Sequence, residues 1–269
     1  LTRGGEPAAS FNREVDGTVY CTAVQPDGKI FIGGAFTTVG GQPASRLARL
    51  HAAGTRDSGF SASVNGTVYT VALQADGRIV LGGSFTSVNG TARSRIARLN
   101  VDGSLDGTFG ATIGGTVYSV AVEADGKILV GGGFGKVNDQ FQYSIARLTT
   151  GGSLDGFAAG LNGRSVSSIA VQTDGKVVLG GEIEGVNVLR RMGVARFLAT
   201  GVLDEPFDPN PDYYVTGLTL QPDGRLFVTG LFNTIAGVER PGIARLQNDA
   251  ATESLTVVSG SRVRWLRGG

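Results

Sequence analysis

Five aspartates in this chain stand at a constant interval of 49 residues, and this interval constrains the fold more than any other feature. Each aspartate precedes a glycine in a short phrase such as VQPDGKIFIGG at residues 24–34. The five are Asp27, Asp76, Asp125, Asp174 and Asp223. A fixed period of this length indicates a solenoid, a propeller or another repeat array. The chain of 269 residues is therefore predicted to consist of five copies of one structural unit.

Each repeat has the pattern of short β-strands joined by tight turns. In the second repeat, TVYTVALQ at 67–74 is rich in β-branched and aromatic residues, and RIVLGGSF at 78–85 predicts the return strand. The Asp-Gly pair between them favours a hairpin, because both central residues can take positive φ. RIARLN at 95–100 predicts a third strand, and SLDGTF at 104–109 predicts a short fourth one. Four short strands in about 50 residues match one propeller blade.

The strands are nearly continuous in apolar residues, which indicates that both faces of each sheet are covered. The sequence therefore predicts an all-β, five-bladed β-propeller of four-stranded antiparallel blades over residues 1–253. The fifth repeat lacks its last strand, and residues 4–11 align with 53–60. We expect the N-terminal segment 1–11 to complete the last blade and so remove the open edges. Residues 254–269 are expected to form a β-hairpin tail or linker, or alternatively to complete an extra partial blade.

Composition argues against several functional classes. The formal net charge of +1 suggests neither a nucleic-acid partner nor an anionic membrane surface. No run approaches the ~18 apolar residues of a membrane helix. One cysteine and one histidine allow no internal disulfide and no cysteine- or histidine-rich metal site, and no cofactor is predicted. No signal peptide is visible, but the chain starts at Leu1, so this says little about export.

The repeated phrases AVQPDGKI, GGAFTTVGG, RLARL and GSLDGTF resemble those of the bacterial delta-sixty-type β-propeller repeat family. The resemblance covers residues 12–253 in five copies, and the tail SLTVV…VRWLRGG is similar to a segment that follows such arrays. It implies a bacterial surface or secreted protein, often with arrays inside longer chains, and no shared catalytic activity. We therefore expect a non-enzymatic, extracellular or cell-surface domain that is not inserted in a membrane. It is expected to be a monomer or part of a longer chain.

Repeated charged residues are expected to be structural, because a catalytic site would not recur in every copy. Arg98 and Asp106, with their equivalents, are predicted to pair within a repeat or across to the next one. Cys21 and His51 have no counterparts of the same type in the other repeats, and a Cys–His nucleophilic pair is not expected. NVDGSLD at 100–106 resembles the start of a calcium loop but lacks the distal glutamate, so an ordinary turn is favoured.

The loops between the second and third strands vary most between repeats. In an up-and-down blade these loops share a face with those entering each first strand, so variable side chains converge there without touching the core. The candidate ligand-binding residues on this face are Asn89, Arg93, Asn138, Gln140, Tyr143, Asn187, Arg190, Arg191, Asp212, Tyr213 and Tyr214. The alternative is that these are simply solvated loops.

Three functional hypotheses follow. The leading one is a non-catalytic binding or interaction domain that takes a carbohydrate or a protein on the variable-loop face. The second is a structural spacer within a longer surface protein. The third, less favoured, is a glycoside hydrolase that uses Glu182 and Glu184, which occur only in the fourth repeat, as paired carboxylates.

Overall fold

The computed structural model describes residues 14–157 and 159–247, together with two strands at Glu253–Ser259 and Arg262–Arg267. The described residues form strands, bridges and turns and contain no helix, which confirms the all-β prediction. Accordingly, this part of the chain has no helix with the length and apolar character needed to cross a bilayer.

Each repeat supplies three strands to one sheet, and four of the repeats have a separate two-stranded hairpin between the second and the third strand. In the fourth repeat the hairpin is continuous with the second strand, so that its sheet has four strands. The first repeat contains β1 (Val19–Val24), β2 (Ile30–Gly34), β3 (Thr38–Val39), β4 (Gln42–Pro43) and β5 (Leu47–Leu50). The second contains β6 (Val68–Leu73), β7 (Ile79–Gly83), β8 (Ser87–Val88), β9 (Thr91–Ala92) and β10 (Ile96–Leu99). The third contains β11 (Thr116–Val122), β12 (Ile128–Gly133), β13 (Lys136–Val137), β14 (Gln140–Phe141) and β15 (Ile145–Leu148).

The last two repeats follow the same order. The fourth contains β16 (Leu161–Val171), β17 (Val177–Val186), β18 (Leu189–Arg190) and β19 (Val194–Phe197). The fifth contains β20 (Val215–Leu220), β21 (Leu226–Gly230), β22 (Thr234–Ile235), β23 (Val238–Glu239) and β24 (Ile243–Leu246). Beyond them, β25 (Glu253–Ser259) pairs antiparallel with β26 (Arg262–Arg267). The proposed domain boundary at residue 253 stays a prediction.

The strand order within a repeat is first–second–third, as in β1-β2-β5 and β20-β21-β24. The pairings are antiparallel, and the register places Val71 opposite Leu81 and Ala97 opposite the same Leu81. The second strand is therefore central, and Ile79, Val80 and Leu81 are fully buried. The predicted strands at 67–74, 78–85 and 95–100 are thus found, and each is one or two residues shorter at either end than predicted.

The hinge turn differs in conformation from the one predicted. Only Gly28 of the Asp27-Gly28 pair has positive φ, at 82°, whereas a two-residue hairpin turn of the expected kind needs positive φ at both positions. The carboxylate of Asp27 accepts a hydrogen bond from the Lys29 N–H at 3.1 Å, and Gly28 N–H donates to the Gln25 carbonyl at 2.9 Å. The two strands are thus joined by the five residues 25–29, and the Asp27 side chain fixes this loop by its bond to Lys29.

The predicted fourth strand is wrong in extent. The segment 104–109 contributes a single bridge, Leu99 to Leu105, and the first, third and fourth repeats show the same one-residue contact. The cause is Asp106, whose carboxylate accepts hydrogen bonds from the Thr108 N–H at 2.9 Å and from the Thr108 hydroxyl at 2.7 Å. These bonds turn the chain immediately after the aspartate and prevent it from continuing as a strand.

The described residues fall into two compact units that divide within the third repeat. The N-terminal unit holds the described residues up to Val130 with Phe134–Gln142 and Leu148–Leu154. The C-terminal unit holds Gly131–Gly133, Tyr143–Arg147 and the described residues from Asp155 onward. Each unit has its own hydrophobic core, centred on the second repeat in one and on the fifth in the other.

Glycine in the second strand lets consecutive repeats pack closely. In the N-terminal unit a Cβ on Gly33 would stand 2.8 Å from Val68 Cγ1 of the next repeat. In the C-terminal unit a Cβ on Gly180 would stand 2.7 Å from Val215 Cγ1. Real Cβ atoms do not approach so closely, so any larger residue would force the two repeats apart.

The predicted arginine–aspartate pairs form, and in the first three repeats the arginine also bonds a carbonyl of the next repeat. Arg98 Nε lies 2.7 Å from Asp106 Oδ2, and both side chains are almost fully buried. Arg98 also donates to the Thr150 carbonyl of the third repeat at 2.5 Å and lies 4.9 Å from the centroid of the Phe109 ring. The equivalent pairs are Arg49–Asp57, Arg147–Asp155 and Arg196–Asp204, each with a contact at 2.8 Å.

Hydrogen bonds explain the acidity of these aspartates. Burial raises the pKa of Asp106, but bonds from Thr108 and Arg98 outweigh it and lower the pKa to about 2. Burial likewise opposes ionisation of Asp57, and the bonds from Gly59, Lys29 and Arg49 lower its pKa to about 2. Both carboxyls are therefore charged at neutral pH. The pairs are structural, as the sequence predicted.

The predicted closure of the ring by residues 1–11 lies outside the described residues. The same holds for the fourth strand that this segment would add to the last blade. Within the described part of the chain, five repeats of β-propeller type are present.

Candidate functional site

In the first three repeats the loop that enters the first strand lies beside the small hairpin of the same repeat. Isolated bridges join the segment entering each first strand to the first strand of the small hairpin, and they connect Val15 to Val39, Val64 to Val88 and Ile113 to Val137. We call the side of these loops and hairpins the variable-loop face and the side of the Asp-Gly turns the hinge face. Side chains from both loop sets are therefore adjacent on the variable-loop face.

In three repeats an aspartate or asparagine side chain fixes the loop that enters the first strand. Asn65 Oδ1 accepts hydrogen bonds from the N–H groups of Thr86 and Ser87 at 2.8 and 2.9 Å. Asp212, one of the predicted site residues, does the same with Asn233 and Thr234. These bonds lower the pKa of Asp212, the Thr234 N–H being the largest cause. The Asp212 carboxylate is therefore already engaged in fixing a loop.

Two predicted binding residues are held in the loops by their own side chains. Asn89 has a φ of 50°, accepts from the Ser63 N–H at 2.8 Å and donates to the Gly103 carbonyl at 2.9 Å. Asn138 repeats this arrangement with Thr112 and Gly152, both at 2.9 Å. Asparagine tolerates this left-handed conformation better than most residues, which explains its recurrence there. Both amides are used inside the protein.

Asn187 occupies the same position in the fourth repeat, with a φ of 52°. Its backbone N–H donates to the Gly160 carbonyl at 2.7 Å, and its carbonyl accepts from Asn162 Nδ2 at 2.5 Å. The residue is exposed. Its structural role is thus carried by the backbone, and a binding role for its side chain stays a prediction.

The three predicted arginines have different surroundings. Arg191 is only 8% exposed, donates to the Glu205 carbonyl at 2.8 Å and places Nη1 3.3 Å from Asp208 Oδ2. Arg93 is half-buried and donates to the carbonyl of its own neighbour Ala92. Arg190 is exposed on the short strand β18. Of the three, Arg190 is the one whose side chain is openly presented to solvent.

Aromatic side chains stand out on the third hairpin and the segment after it. Phe141 is 74% exposed, and Lys136 Nζ lies 5.1 Å above its ring. Gln140, a predicted site residue, is exposed on β14 beside Phe141. Tyr143, also predicted, is 60% exposed. Exposed rings of this size commonly mark interaction surfaces.

The best-defined grouping on this face lies in the C-terminal unit, and we call it the tyrosine–glutamate cluster: Arg164, Glu182, Glu184, Tyr213 and Tyr214. The rings of Tyr213 and Tyr214 are 4.4 Å apart between centroids, and the Tyr214 hydroxyl lies 3.5 Å from Glu184 Oε1. Burial and then Glu184 raise the pKa of Tyr214, so its hydroxyl stays protonated and can donate. Tyr213 is 48% exposed. The predicted residues Tyr213 and Tyr214 therefore come together.

The cluster depends on a local departure from the repeat. The other repeats have phenylalanine at the position of Ile183, and there the chain leaves the sheet. With Ile183 the second strand continues to Val186 and the first begins as early as Leu161. Glu182 and Glu184 lie on this extension of β17, with Ile183 buried between them. The sequence distinguished these two glutamates but not the longer strands that present them.

The thiol of Cys21 is poorly suited to nucleophilic chemistry. Burial raises its pKa to about 12, although a hydrogen bond from the Gly33 backbone acts in the opposite direction. A thiol of this acidity is almost entirely protonated at neutral pH. His51 Nε2 lies 3.8 Å from Asp57 Oδ1, at the edge of a structural pair.

Two cavities in the N-terminal unit differ in size and in lining. One of about 520 Å³ opens on the hinge face between the second and third repeats and is lined by residues that include Gln74, Asp76, Arg98 and Asp125. These residues recur in the other copies, so this cavity is a feature of the repeat junction. Another of about 140 Å³ lies on the variable-loop face beside Gly114 and Lys136. That is small for a buried ligand, since ligand pockets usually measure about 300–1,000 Å³.

Sequence reasoning missed an aromatic row on the first strands. Tyr20, Tyr69 and Tyr118 recur at the 49-residue interval, and their rings contact one another in sequence order. The period itself was the signal that could have found them. These tyrosines lie in strands, whereas the predicted site residues were chosen from the loops that vary between repeats.

Solved structures share the fold. The chain matches the WD40 β-propeller domain of Doa1 with a TM-score of 0.58 and 14% identity, covering 87% of this chain and 65% of that one. It matches an inactive H270A virginiamycin B lyase from Staphylococcus aureus with quinupristin (TM-score 0.53, 15% identity, 95% and 82% coverage). It also matches XC5397, a gluconolactonase from Xanthomonas campestris (0.51, 18%, 94% and 85%). At these identities the likeness concerns the fold alone, and the chain spans less than two thirds of the Doa1 domain.

No curated protein sequence matches the chain significantly. A family model described as "Domain of unknown function (DUF5122) beta-propeller" matches residues 25–60, 74–109, 123–156, 172–207 and 221–249. The five matches follow the five repeats and together cover more than half of the chain. The chain therefore belongs to this DUF5122 β-propeller family.

Proposed function

We propose that this chain is a non-catalytic binding or interaction domain whose ligand, a carbohydrate or another protein, contacts the variable-loop face. One observation supports the proposal above the others. The recurring Arg98–Asp106 pair and most glycines of the second strands are buried, whereas the tyrosine–glutamate cluster occurs once and leaves Tyr213 48% exposed. Exposed aromatic and charged side chains that the fold does not use are available for a ligand.

The small cavity on this face favours a ligand that lies on the surface rather than in a deep pocket. The cavity on the variable-loop face of the N-terminal unit has a volume of only about 140 Å³. The cluster combines two adjacent aromatic rings with carboxylate and guanidinium groups, which suits a protein surface or a sugar held by stacking and hydrogen bonds.

Several finer features belong to the same proposal. We propose that the five repeats are five blades of one ring, with residues 1–11 completing the last blade. We propose an extracellular or cell-surface location, no nucleic-acid or membrane partner, and a monomer or a part of a longer chain. The high pKa of the Cys21 thiol supports a non-catalytic role. Glu182 and Glu184 lie on one strand, whereas a glycosidase needs carboxyl groups on opposite sides of the scissile bond.

The test is a binding screen with matched variants. The protein is applied to a glycan array and to a set of secreted bacterial proteins, alongside Tyr213→Ser and Glu184→Gln. Val202→Ser is the control, because Val202 is 60% exposed in a turn outside the variable-loop face. We expect a ligand whose binding is lost in the first two variants and kept in the control. Binding that ignores both cluster variants, or the absence of any ligand, would contradict the proposal and favour a spacer.

A further inference from the structure

We infer that the row formed by Tyr20, Tyr69 and Tyr118 is a second binding site, which takes a neutral oligosaccharide. The row lies on β1, β6 and β11, the first strands of three consecutive repeats in the N-terminal unit. It shares no residue with the variable loops or with the tyrosine–glutamate cluster. The inference is therefore independent of the proposed function above.

The geometry of the row follows from the repeat. The three tyrosines hold the same position in first strands that lie side by side, so their rings meet. The ring centroids of Tyr20 and Tyr69 are 5.0 Å apart, and those of Tyr69 and Tyr118 are 5.6 Å apart. The interplanar angle is 62° in both pairs, which is the edge-to-face arrangement that aromatic rings prefer.

A β-bulge places these side chains outside the packed junctions. Val68 pairs with Gly83 and Thr70 with Gly82, so Tyr69 is the extra residue of the bulge. Tyr20 stands in the same bulge of β1. Bulges re-aim a side chain relative to the regular pleat. In agreement, Tyr118 is 39% exposed beside the fully buried Val117, and Tyr69 is half-buried beside the fully buried Val68. Tyr20 is 51% exposed.

The fold does not require tyrosine at this position. Ser167 and Thr216 occupy it in the fourth and fifth repeats, and both of those first strands keep the same bulge. A row of three rings, exposed at Tyr20 and Tyr118 and half-buried at Tyr69, is therefore an addition to the repeat rather than a condition of it. Aromatic surface that the fold does not need and that stays in contact with solvent indicates a ligand.

The chemistry of the row selects the class of ligand. The strands β1, β6 and β11 contain no charged residue, so no charge is available on them to pair with an ionic ligand. They present tyrosine rings together with hydroxyl groups, and Thr22 is exposed on β1. Apolar ring surface beside hydroxyl groups is complementary to a sugar, which has apolar C–H faces and a hydroxyl rim. A charged glycan or an ionic peptide finds no counter-charge there.

The experiment uses the whole chain and isothermal titration calorimetry. The probes are neutral hexasaccharides of β-1,4-, β-1,3- and α-1,4-linked glucose, with a β-1,4-linked uronic-acid hexasaccharide as the charged comparison. At least one neutral probe should bind more tightly than the charged one. Tyr69→Ser should weaken it by at least about tenfold, and Tyr69→Phe, which keeps the ring, by less than about threefold. Tyr118→Ser is a second variant at the exposed end of the row, and the same loss is expected there.

Serine is the residue that the fourth repeat carries at this position, so these variants are expected to keep the fold, and circular dichroism checks it. Absence of binding by every neutral probe at millimolar concentration would overturn the inference. So would neutral-probe binding that folded Tyr69→Ser and Tyr118→Ser retain. Tyr213→Ser separates the two sites. Binding lost in Tyr213→Ser but kept in Tyr69→Ser supports the variable-loop site and overturns this one.

Discussion

The third strands of the fourth and fifth repeats have nearly the same sequence but different surroundings. β19 is VARF and β24 is IARL, and each pairs with the second strand of its own repeat. Val194 is fully buried in β19, whereas its counterpart Ile243 is 55% exposed in β24. Arg196 is 5% exposed, whereas Arg245 is open to solvent. The sequence of a repeat therefore does not by itself decide what is buried.

The second strands show the same contrast. Gly180 of the fourth repeat faces Val215 of the fifth and is buried. The fifth repeat has Thr229 at this position, exposed, with Gly217 opposite it where the fourth has Ser168. The hydroxyl residue is thus on the first strand in the fourth repeat and on the second strand in the fifth, and the glycine is on the opposite strand in each case. We interpret the fourth repeat as shaped to receive the next repeat at this point, whereas the fifth repeat presents a polar side chain there.

The largest expected effect comes from breaking a buried pair in the fourth repeat. Arg196→Ala removes the guanidinium at 2.8 Å from the largely buried Asp204 carboxylate, leaves Lys176 at 3.9 Å, and should cost about 3 kcal/mol of unfolding free energy. Arg245→Ala, at the matched exposed position, should change it by less than about 0.5 kcal/mol. Urea denaturation measures both. Equal losses of stability in the two variants would contradict the view that the surroundings of the two arginines give them different contributions to stability.

Exchanging the glycine positions tests the junction directly. Gly180→Thr copies the residue of the fifth repeat into the fourth and would push a side chain into Val215, so we expect a loss of about 3 kcal/mol. Thr229→Gly makes the reverse change on an exposed strand and should cost no more than about 1 kcal/mol. Thermal and urea unfolding compare the two. A Gly180→Thr protein as stable as the parent would contradict the packing argument.

Acid should weaken the repeats that contain buried pairs. The pKa of Asp57 and that of Asp106 are about 2 in the folded chain against an ordinary value of 3.8. A lowered carboxyl pKa gives stability that is complete above about pH 4 and is lost as the pH falls through about 2, on the order of 2 kcal/mol for each buried carboxyl. Urea midpoints measured from pH 5 to pH 2 should fall steeply, and less steeply in Asp106→Asn. A flat profile would contradict the assignment.

The smallest expected effect concerns Cys21. Its counterpart Thr70 accepts a hydrogen bond from the Val120 N–H at 3.2 Å, and Ser168 accepts one from the Leu218 N–H at 3.1 Å. Cys21→Ser places a stronger acceptor at this position and should raise stability by about 0.5–1 kcal/mol. Thr70→Val removes the acceptor and should lower it by a similar amount. Differential scanning calorimetry resolves changes of this size. A loss of stability in Cys21→Ser would contradict the view that this position serves as a hydrogen-bond acceptor.

The features that follow from periodicity were predictable from the sequence. The three strands of each repeat, the hinge loop and the Arg98–Asp106 pair all recur at 49 residues, and a recurring position indicates a shared structural role. The prediction that the variable loops lie beside the loops that enter the first strands rests on the same pattern, and bridges between them are found in the first three repeats.

Side-chain competition for backbone groups was not visible in the pattern. Asp106 bonds the Thr108 N–H and so ends the fourth strand after one bridge. Asn89 and Asn138 look like binding residues in the sequence, but their amides fix the loops that enter the first strands of their own repeats. Ile183 in place of a phenylalanine lengthens β16 and β17, a consequence of one residue that no period predicts. A binding role for the remaining candidates stays a prediction.

The most direct test of this account is native-state hydrogen exchange of the third strands, read by mass spectrometry on peptides spanning β19 and β24. The two strands share the central Ala-Arg pair between apolar residues of similar type, so we expect small differences in intrinsic exchange and a comparison that reports mainly on the surroundings of each strand. We predict that the amides of Val194–Phe197 exchange only with global unfolding and that those of Ile243–Leu246 exchange through a local opening of much lower free energy. Equal protection of the two strands would contradict the claim that each repeat is held folded by the repeat packed against it.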